Sequence, residues 1–267
     1  MNAYNICNPD ANMFRVPNKW ISNYNHWTVD IFLDYLLVVD RKLLRSEQRV
    51  VWPDDIRQFP FCHQLLELGG LDISKLITVP QKLDTVVFTH AMYVQRSEKY
   101  QGQALPWHIT LLRRHILPNA LARTEHIPSS KVLIINRRNK RFYLHIDKLI
   151  QKLSDKGMKP KVIYPEDYTV AEQLAWCSRA SIIIGIHGTG LTNLYSIKPN
   201  TNVYELATAS YPQTVYRDIT KLCGARYYRL IDDSHKDPTI PIAEHDIDLD
   251  PEYIANLIAS YKTPAFA

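Results

Sequence analysis

Apolar residues along this chain follow two rhythms in succession: short β-branched runs, then longer stretches in which the spacing is three to four residues. The alternation is clearest in the second half. Residues 131–136 (KVLIIN) suit a buried strand, and beyond a polar loop Ile146, Leu149, Ile150 and Leu153 repeat at helical spacing as far as Gly157. Residues 161–164 (KVIY) read as the next strand. Thr169, followed three positions later by Glu172, is a capping box, in which each side chain satisfies a backbone N–H left open by the first helical turn. The helix it opens runs through Arg179. Residues 180–186 (ASIIIGI) are apolar on both faces, as a strand covered above and below must be. A strand at 201–206, a helix at 212–223 closed by Gly224 and a strand at 226–231 continue the series.

The first half repeats the theme. A helix is expected over 28–44, a strand over 49–52, a helix over 56–68 ending at Gly69 and Gly70, and strands over 76–79 and 84–89. Residues 120–130, with Pro128 and two serines, read as the linker. Near the end Asp250 caps a helix with Pro251 at its first position, which runs to Tyr261 with Ile254, Leu257 and Ile258 on one face. Strands alternating with helices imply parallel sheets covered on both sides, so the fold class is α/β. The expected domains are residues 1–125 and 126–250, with 251–267 forming a helix that packs back across them.

Composition narrows the function classes. With 46% hydrophobic and 22% charged residues, the 267-residue chain has the balance of a globular protein. The net charge of +5 favours anionic ligands, but 32 basic residues are scattered among 27 acidic ones, so no nucleic-acid partner is expected. No apolar stretch approaches the roughly 20 residues of a membrane span. Residues 1–10 lack the basic leader and apolar core of a secretory signal, and no Asn-x-Ser/Thr acceptor occurs. A cytoplasmic, microbial or viral setting is expected, with a truncated secretory-pathway anchor as the alternative. Cys7, Cys62, Cys177 and Cys223 are too widely separated for a zinc site or a disulfide framework and read as buried thiols.

The chemistry concentrates at predicted strand ends. Residues 185–193 (GIHGTGLTN) follow a buried strand and lead into a short helix, the place where open α/β sheets bind ligands. Gly188, Thr189, Gly190, Leu191 and Asn193 can bring backbone N–H groups to a diphosphate, with the helix dipole assisting. The pattern is neither a dinucleotide fingerprint nor a P-loop, and a ligand-free tight turn is the alternative. His187 could contact phosphate or sugar, or bond the loop backbone. Asn136, Arg137 and Arg138 end another strand, with Arg141 four positions after Arg137. Guanidinium groups there suit phosphate clamping without a metal, and a solvated basic loop is the alternative. Tyr164 at the end of its strand joins the donor-binding candidates. Glu205 at a strand end could accept ribose hydroxyls or form a surface salt bridge. Asp246 and Asp248 form an Asp-x-Asp pair in an acidic tail, where no metal role is expected.

Residues 172–205 (EQLAWCSRASIIIGIHGTGLTNLYSIKPNTNVYE) resemble the signature region of glycosyltransferase family 61: a Gln-containing helix, a strand, then Gly-x-His-Gly-Ala-Gly-Leu-Thr-Asn. Thr189 stands where the family has Ala. Residues 132–141, the opening Asn25-His26-Trp27 of a long helix, and residues 61–71 with 77–80 agree in order and spacing, so the likeness covers most of residues 20–210. Leu33-Asp34 stand where the family has a downstream Pro. The resemblance implies a GT-B fold of two Rossmann-like domains with a cleft between them. It also implies inverting transfer from a UDP-sugar, with xylose first and N-acetylglucosamine next, to a glycan acceptor, with no essential metal and no further cofactor.

Inversion needs a base for the acceptor hydroxyl. His26 and Asp30, four residues apart, share a helical face and are the candidates, with Asp34 one turn on as a third and helix capping as the alternative role. An inactive nucleotide- or glycan-binding module of the same fold is the competing function.

Overall fold

The computed structural model describes residues 4–7, 13–15, 21–43, 49–71, 77–79, 92–96, 104–209, 214–234, 239 and 244–260. The chain divides into two compact units, Met1–Glu125 with Thr169–Ala175, and His126–Tyr168 with Trp176–Ala267.

In the first unit, β1 (Tyr4–Cys7) pairs antiparallel with β5 (Tyr93–Arg96). The strands β2 (Met13–Arg15), β3 (Arg49–Pro53) and β4 (Ile77–Val79) form a parallel three-stranded sheet. The long N-terminal helix begins earlier than the apolar periodicity suggests, because Asn23 is a strong cap. Its Oδ1 accepts from the N–H groups of Asn25 (3.0 Å) and His26 (3.2 Å). The helix runs as α1 (Tyr24–His26), a π-helical stretch Trp27–Phe32 and α2 (Leu33–Asp40). Trp52 of β3 packs ring against ring with Trp27 and Tyr35 of this helix, with centroids 5.7 and 5.6 Å apart.

A 3-10 turn, Asp54–Gln58, precedes α3 (Pro60–Leu68); Pro60 at the first turn sacrifices no helical hydrogen bond. The expected linker is helical at its start. The helices α4 (Pro106–His115) and α5 (Leu117–Ala122) carry buried Ala120, whose carbonyl accepts from the buried Thr124 hydroxyl at 2.7 Å. α5 ends at Ala122, inside the expected linker. The strand expected over 84–89 lies outside the described residues, as do Leu44 of the first helix, Tyr261 of the last, and 212 and 213 of the helix expected from 212.

The second unit is built on β6 (Ser130–Ile135), β7 (Pro160–Ile163), β8 (Ala180–Ile186), β9 (Asn202–Thr208) and β10 (Arg226–Asp232), all parallel. Their order, β10-β9-β8-β6-β7, is the doubly wound order in which the first and third strands of the sheet are neighbours. All seven residues of β9 are buried, as a central parallel strand requires. Between these strands the chain forms α6 (Ile146–Asp155), α7 (Val170–Arg179), whose residues up to Ala175 are counted with the first unit, and α8 (Val215–Leu222).

The capping box forms as the sequence reads: Thr169 N–H donates to Glu172 Oε2 at 2.8 Å and Glu172 N–H to Thr169 Oγ1 at 3.3 Å. α9 (Pro251–Ser260), expected to reach back across the domains, packs on α6 within the second unit. There Leu149, Leu153, Ile254 and Ile258 join one core cluster and Lys152 pairs with Glu252 at 2.6 Å. Cys62, Cys177 and Cys223 are buried free thiols, and burial pushes the Cys177 thiol up to about 12. Cys7 lies in β1, where only the backbone is described. Among the described residues no helix is long and apolar enough to cross a membrane.

Candidate active site

β6 and β8 are the neighbours at which the winding direction reverses, and a pocket of about 190 Å³ opens at their C-terminal ends. At such a point two successive crossovers leave the sheet on opposite faces, and the strand ends between them stay uncovered. Asn136, Arg137, Arg138 and Asn139 line one side, Gly188, Thr189 and Gly190 the other, with Pro165 and Glu166 after β7 completing the wall. Two of the predicted constellations, far apart in sequence, therefore share one cavity.

The turn after β8 is shaped by its glycines. A Cβ at Gly185 would meet Leu191 Cδ2 at 2.3 Å, so the leucine seats on the strand only because the strand is bare there. A Cβ at Gly188 would lie 2.2 Å from Arg137 Nη1. That space lets Arg137 donate to the His187 carbonyl at 3.1 Å while remaining in the pocket wall. The short helix expected there forms over Thr189–Ser196 and is a 3-10 helix. Its first N–H groups belong to the class that lacks intrahelical acceptors.

Neighbouring arginines have different surroundings. Arg138 forms a two-pronged ion pair with Asp167 and lies over the Tyr164 ring, 4.5 Å from its centroid. The carboxylate beside it raises the basicity of the guanidinium. Asn136 is buried, and its Oδ1 accepts from Tyr143 N–H at 3.4 Å, holding the Arg-rich loop to the chain that leaves it. Arg141 has a left-handed backbone at φ 63°, a conformation that L-residues seldom adopt, and it acts with Arg137 on the Tyr216 hydroxyl. Leu191, Asn193 and Glu205 are buried and absent from the pocket wall.

Glu205, expected to face ribose hydroxyls, has both oxygens engaged inside the protein: Oε1 with His187 Nδ1, and Oε2 accepting from the Tyr227 hydroxyl. The carboxylate is 1% exposed, and each partner offsets the desolvation that would otherwise expel it. His187 packs edge-on to Tyr216, at 5.3 Å between centroids. Burial, and then the Glu205 charge, push both tyrosine hydroxyls up, so that they remain protonated. Tyr216 and Tyr227 escaped the sequence reading because nothing local marks them; only strand order and register bring α8 and β10 to Glu205.

In the first unit, His26 Nδ1 lies 2.7 Å from Asp30 Oδ2, with the side chains 36% and 21% exposed. The pair sits where α1 passes into the π-helical stretch, an irregularity frequent at functional sites. Asp34 is buried in α2. Asp246 accepts from Phe142 N–H at 3.2 Å and Asp248 meets His145 Nε2 at 2.6 Å, so the two acids of the Asp-x-Asp pair serve different partners.

Comparison with known proteins gives this geometry a context. The family described as Glycosyltransferase 61 matches residues 24–204. A beta-1,2-xylosyltransferase of Arabidopsis thaliana is 32% identical over 75 residues, 28% of this chain and 14% of that protein. The EGF domain-specific O-linked N-acetylglucosamine transferase of Drosophila melanogaster is 35% identical over 105 residues, 38% of this chain and 20% of that protein. The matches thus span a fifth or less of each relative's length. A mutant flavo di-iron protein of Thermotoga maritima overlays at a TM-score of 0.36 with 10% identity, covering 84% of this chain and 76% of its own, a likeness too slight to bear on fold or chemistry. Because the match spans well over half of the 267 residues and includes Arg137 and the glycine turn of the pocket, the chain belongs to the Glycosyltransferase 61 family.

Proposed function

We propose that the protein is an inverting glycosyltransferase that moves a sugar from a UDP-sugar to a hydroxyl of a glycan acceptor, without an essential metal. The observation that carries the reading is the pocket at the winding reversal, where Arg137 and the turn Gly188, Thr189 and Gly190 face one cavity. The donor diphosphate sits there, held by the Arg137 guanidinium and the first backbone N–H groups of the 3-10 helix, with Arg141 adding positive charge nearby. Charge that develops on the leaving diphosphate is met by fixed donors, which cost no reorganisation during reaction. The names of the two relatives favour xylose or N-acetylglucosamine as the transferred sugar. This reading carries the GT-B architecture that the family resemblance implies.

His26 is the base that takes the acceptor proton. With Asp30 at Nδ1 the imidazole is held in the tautomer whose Nε2 accepts, as in other carboxylate-oriented histidine bases. The acceptor oxygen attacks the anomeric carbon opposite the diphosphate, the bond to the diphosphate breaks, and the configuration inverts.

Thermal shift with UDP, GDP, CMP, ADP, UDP-xylose and UDP-N-acetylglucosamine, with and without chelator, tests the reading. UDP compounds at a hundred times Kd stabilise the protein by about 2.7 kcal/mol. Stabilisation that disappears with chelator removes the metal-independent form of the reading. Silence towards every nucleotide removes the pocket assignment. Binding without transfer to any acceptor supports the inactive-module alternative.

A further inference from the structure

His187 is absent from the pocket wall, to which its neighbours Ile186 and Gly188 and then Thr189 and Gly190 contribute, and its imidazole is 8% exposed. Its Nδ1 faces Glu205, and its backbone carbonyl receives Arg137 at 3.1 Å. The other Glu205 oxygen accepts from Tyr227. These side chains come from three neighbouring parallel strands: His187 directly after β8, Glu205 in β9 and Tyr227 in β10. In register, Glu205 lies opposite Gly185, which offers no side chain, and opposite Arg229. The carboxylate is therefore satisfied along a diagonal, through a hydroxyl from one side and an imidazole from the other. A buried carboxylate with two fixed donors allows little freedom to either of them.

We propose that Tyr227, Glu205 and His187 are positioning residues for the donor diphosphate. They lock the turn that follows β8, and through the His187 carbonyl they fix the guanidinium of Arg137 in the pocket. His187 thus works through Nδ1 and its main chain, and its ring does not bind the ligand. The inference rests on the diphosphate reading of the pocket.

Calorimetric titration of the whole chain with UDP, inorganic pyrophosphate and uridine separates the possibilities. The variants are Tyr227→Phe, His187→Asn and His187→Gln. An asparagine amide places its N–H near the position of Nδ1, and a glutamine amide near that of Nε2. The expected result is a loss of about tenfold in UDP and pyrophosphate affinity for Tyr227→Phe and His187→Gln, against at most about threefold for His187→Asn, with uridine binding unmoved. Retained affinity in His187→Gln with loss in His187→Asn would put Nε2 on the ligand and overturn the proposal. An equal loss for uridine and UDP would reduce the three residues to general support of the fold, and also overturns it. Unchanged affinity of Tyr227→Phe for UDP and pyrophosphate, with wild type binding both, defeats this inference alone. Wild type that binds neither UDP nor pyrophosphate defeats the pocket reading and this inference together.

Discussion

Two histidine–carboxylate pairs of this chain use the same chemical groups in opposite ways. His26 and Asp30 lie one turn apart on a helix and remain 36% and 21% exposed. His187 and Glu205 are 18 residues apart, joined only because β8 and β9 are neighbours, and are 8% and 1% exposed. An exposed imidazole can exchange its proton with an incoming hydroxyl, whereas a buried one, enclosed by Tyr216 and Glu205, is an element of construction. Residue type alone would assign both histidines to catalysis. Burial and the origin of the partner divide the roles.

Four substitutions press on that division. Glu205→Ala leaves buried His187 and the half-buried Tyr227 hydroxyl without their acceptor and opens a cavity, so unfolding in denaturant should show a loss of about 3–5 kcal/mol. A loss below about 1 kcal/mol, the range of exposed pairs, would remove the distinction between the two histidines. His26→Ala should lower turnover about a hundredfold, followed as UDP release, while calorimetric affinity for UDP stays at the wild-type value. Weakened binding with unchanged turnover would take His26 out of the base role. Arg137→Ala should cost about tenfold in UDP affinity, the worth of a charge-assisted hydrogen bond, with little change in the unfolding midpoint. Arg138→Ala should have the smallest effect, since its charge is already paired with Asp167. An affinity loss in Arg138→Ala that matches Arg137→Ala would show that the ion pair opens to the ligand.

Much of the second unit is legible because its central strands β8 and β9 are buried on both faces and its helices carry local signals: Gly157 and Gly224 where helices stop, and the Thr169–Glu172 box where α7 starts. The convergence of residues 136–138 with the turn after β8 was also readable, since both follow apolar runs that must lie in one sheet. The role of Glu205 was not. A carboxylate at the end of an apolar run reads as a ribose-binding group or a surface salt bridge until the register shows that β10 lies beyond it and Tyr227 reaches it. The start of the first helix departs from the hydrophobic pattern for a different reason. Apolar periodicity begins after the cap, and Asn23, whose side chain defines the start, is invisible to a hydrophobic pattern. α4 and α5 went unread because Pro106 and Pro118, ordinary at a helix N-terminus, resemble loop punctuation when taken singly.

The π-helical stretch Trp27–Phe32 bears on how this helix can change by insertion or deletion. Each residue of an α-helix turns the chain by about 100°, so a segment that closes its hydrogen bonds one residue later rotates everything upstream by about that angle relative to everything downstream. Removing a single residue from the stretch would restore an α-helical ladder and leave the apolar contacts of Leu33–Asp40 in place. It would also swing His26 to another azimuth around the axis. In this segment a one-residue length change acts as a change of aim, and related chains that differ by one residue here would present the same histidine in a new direction.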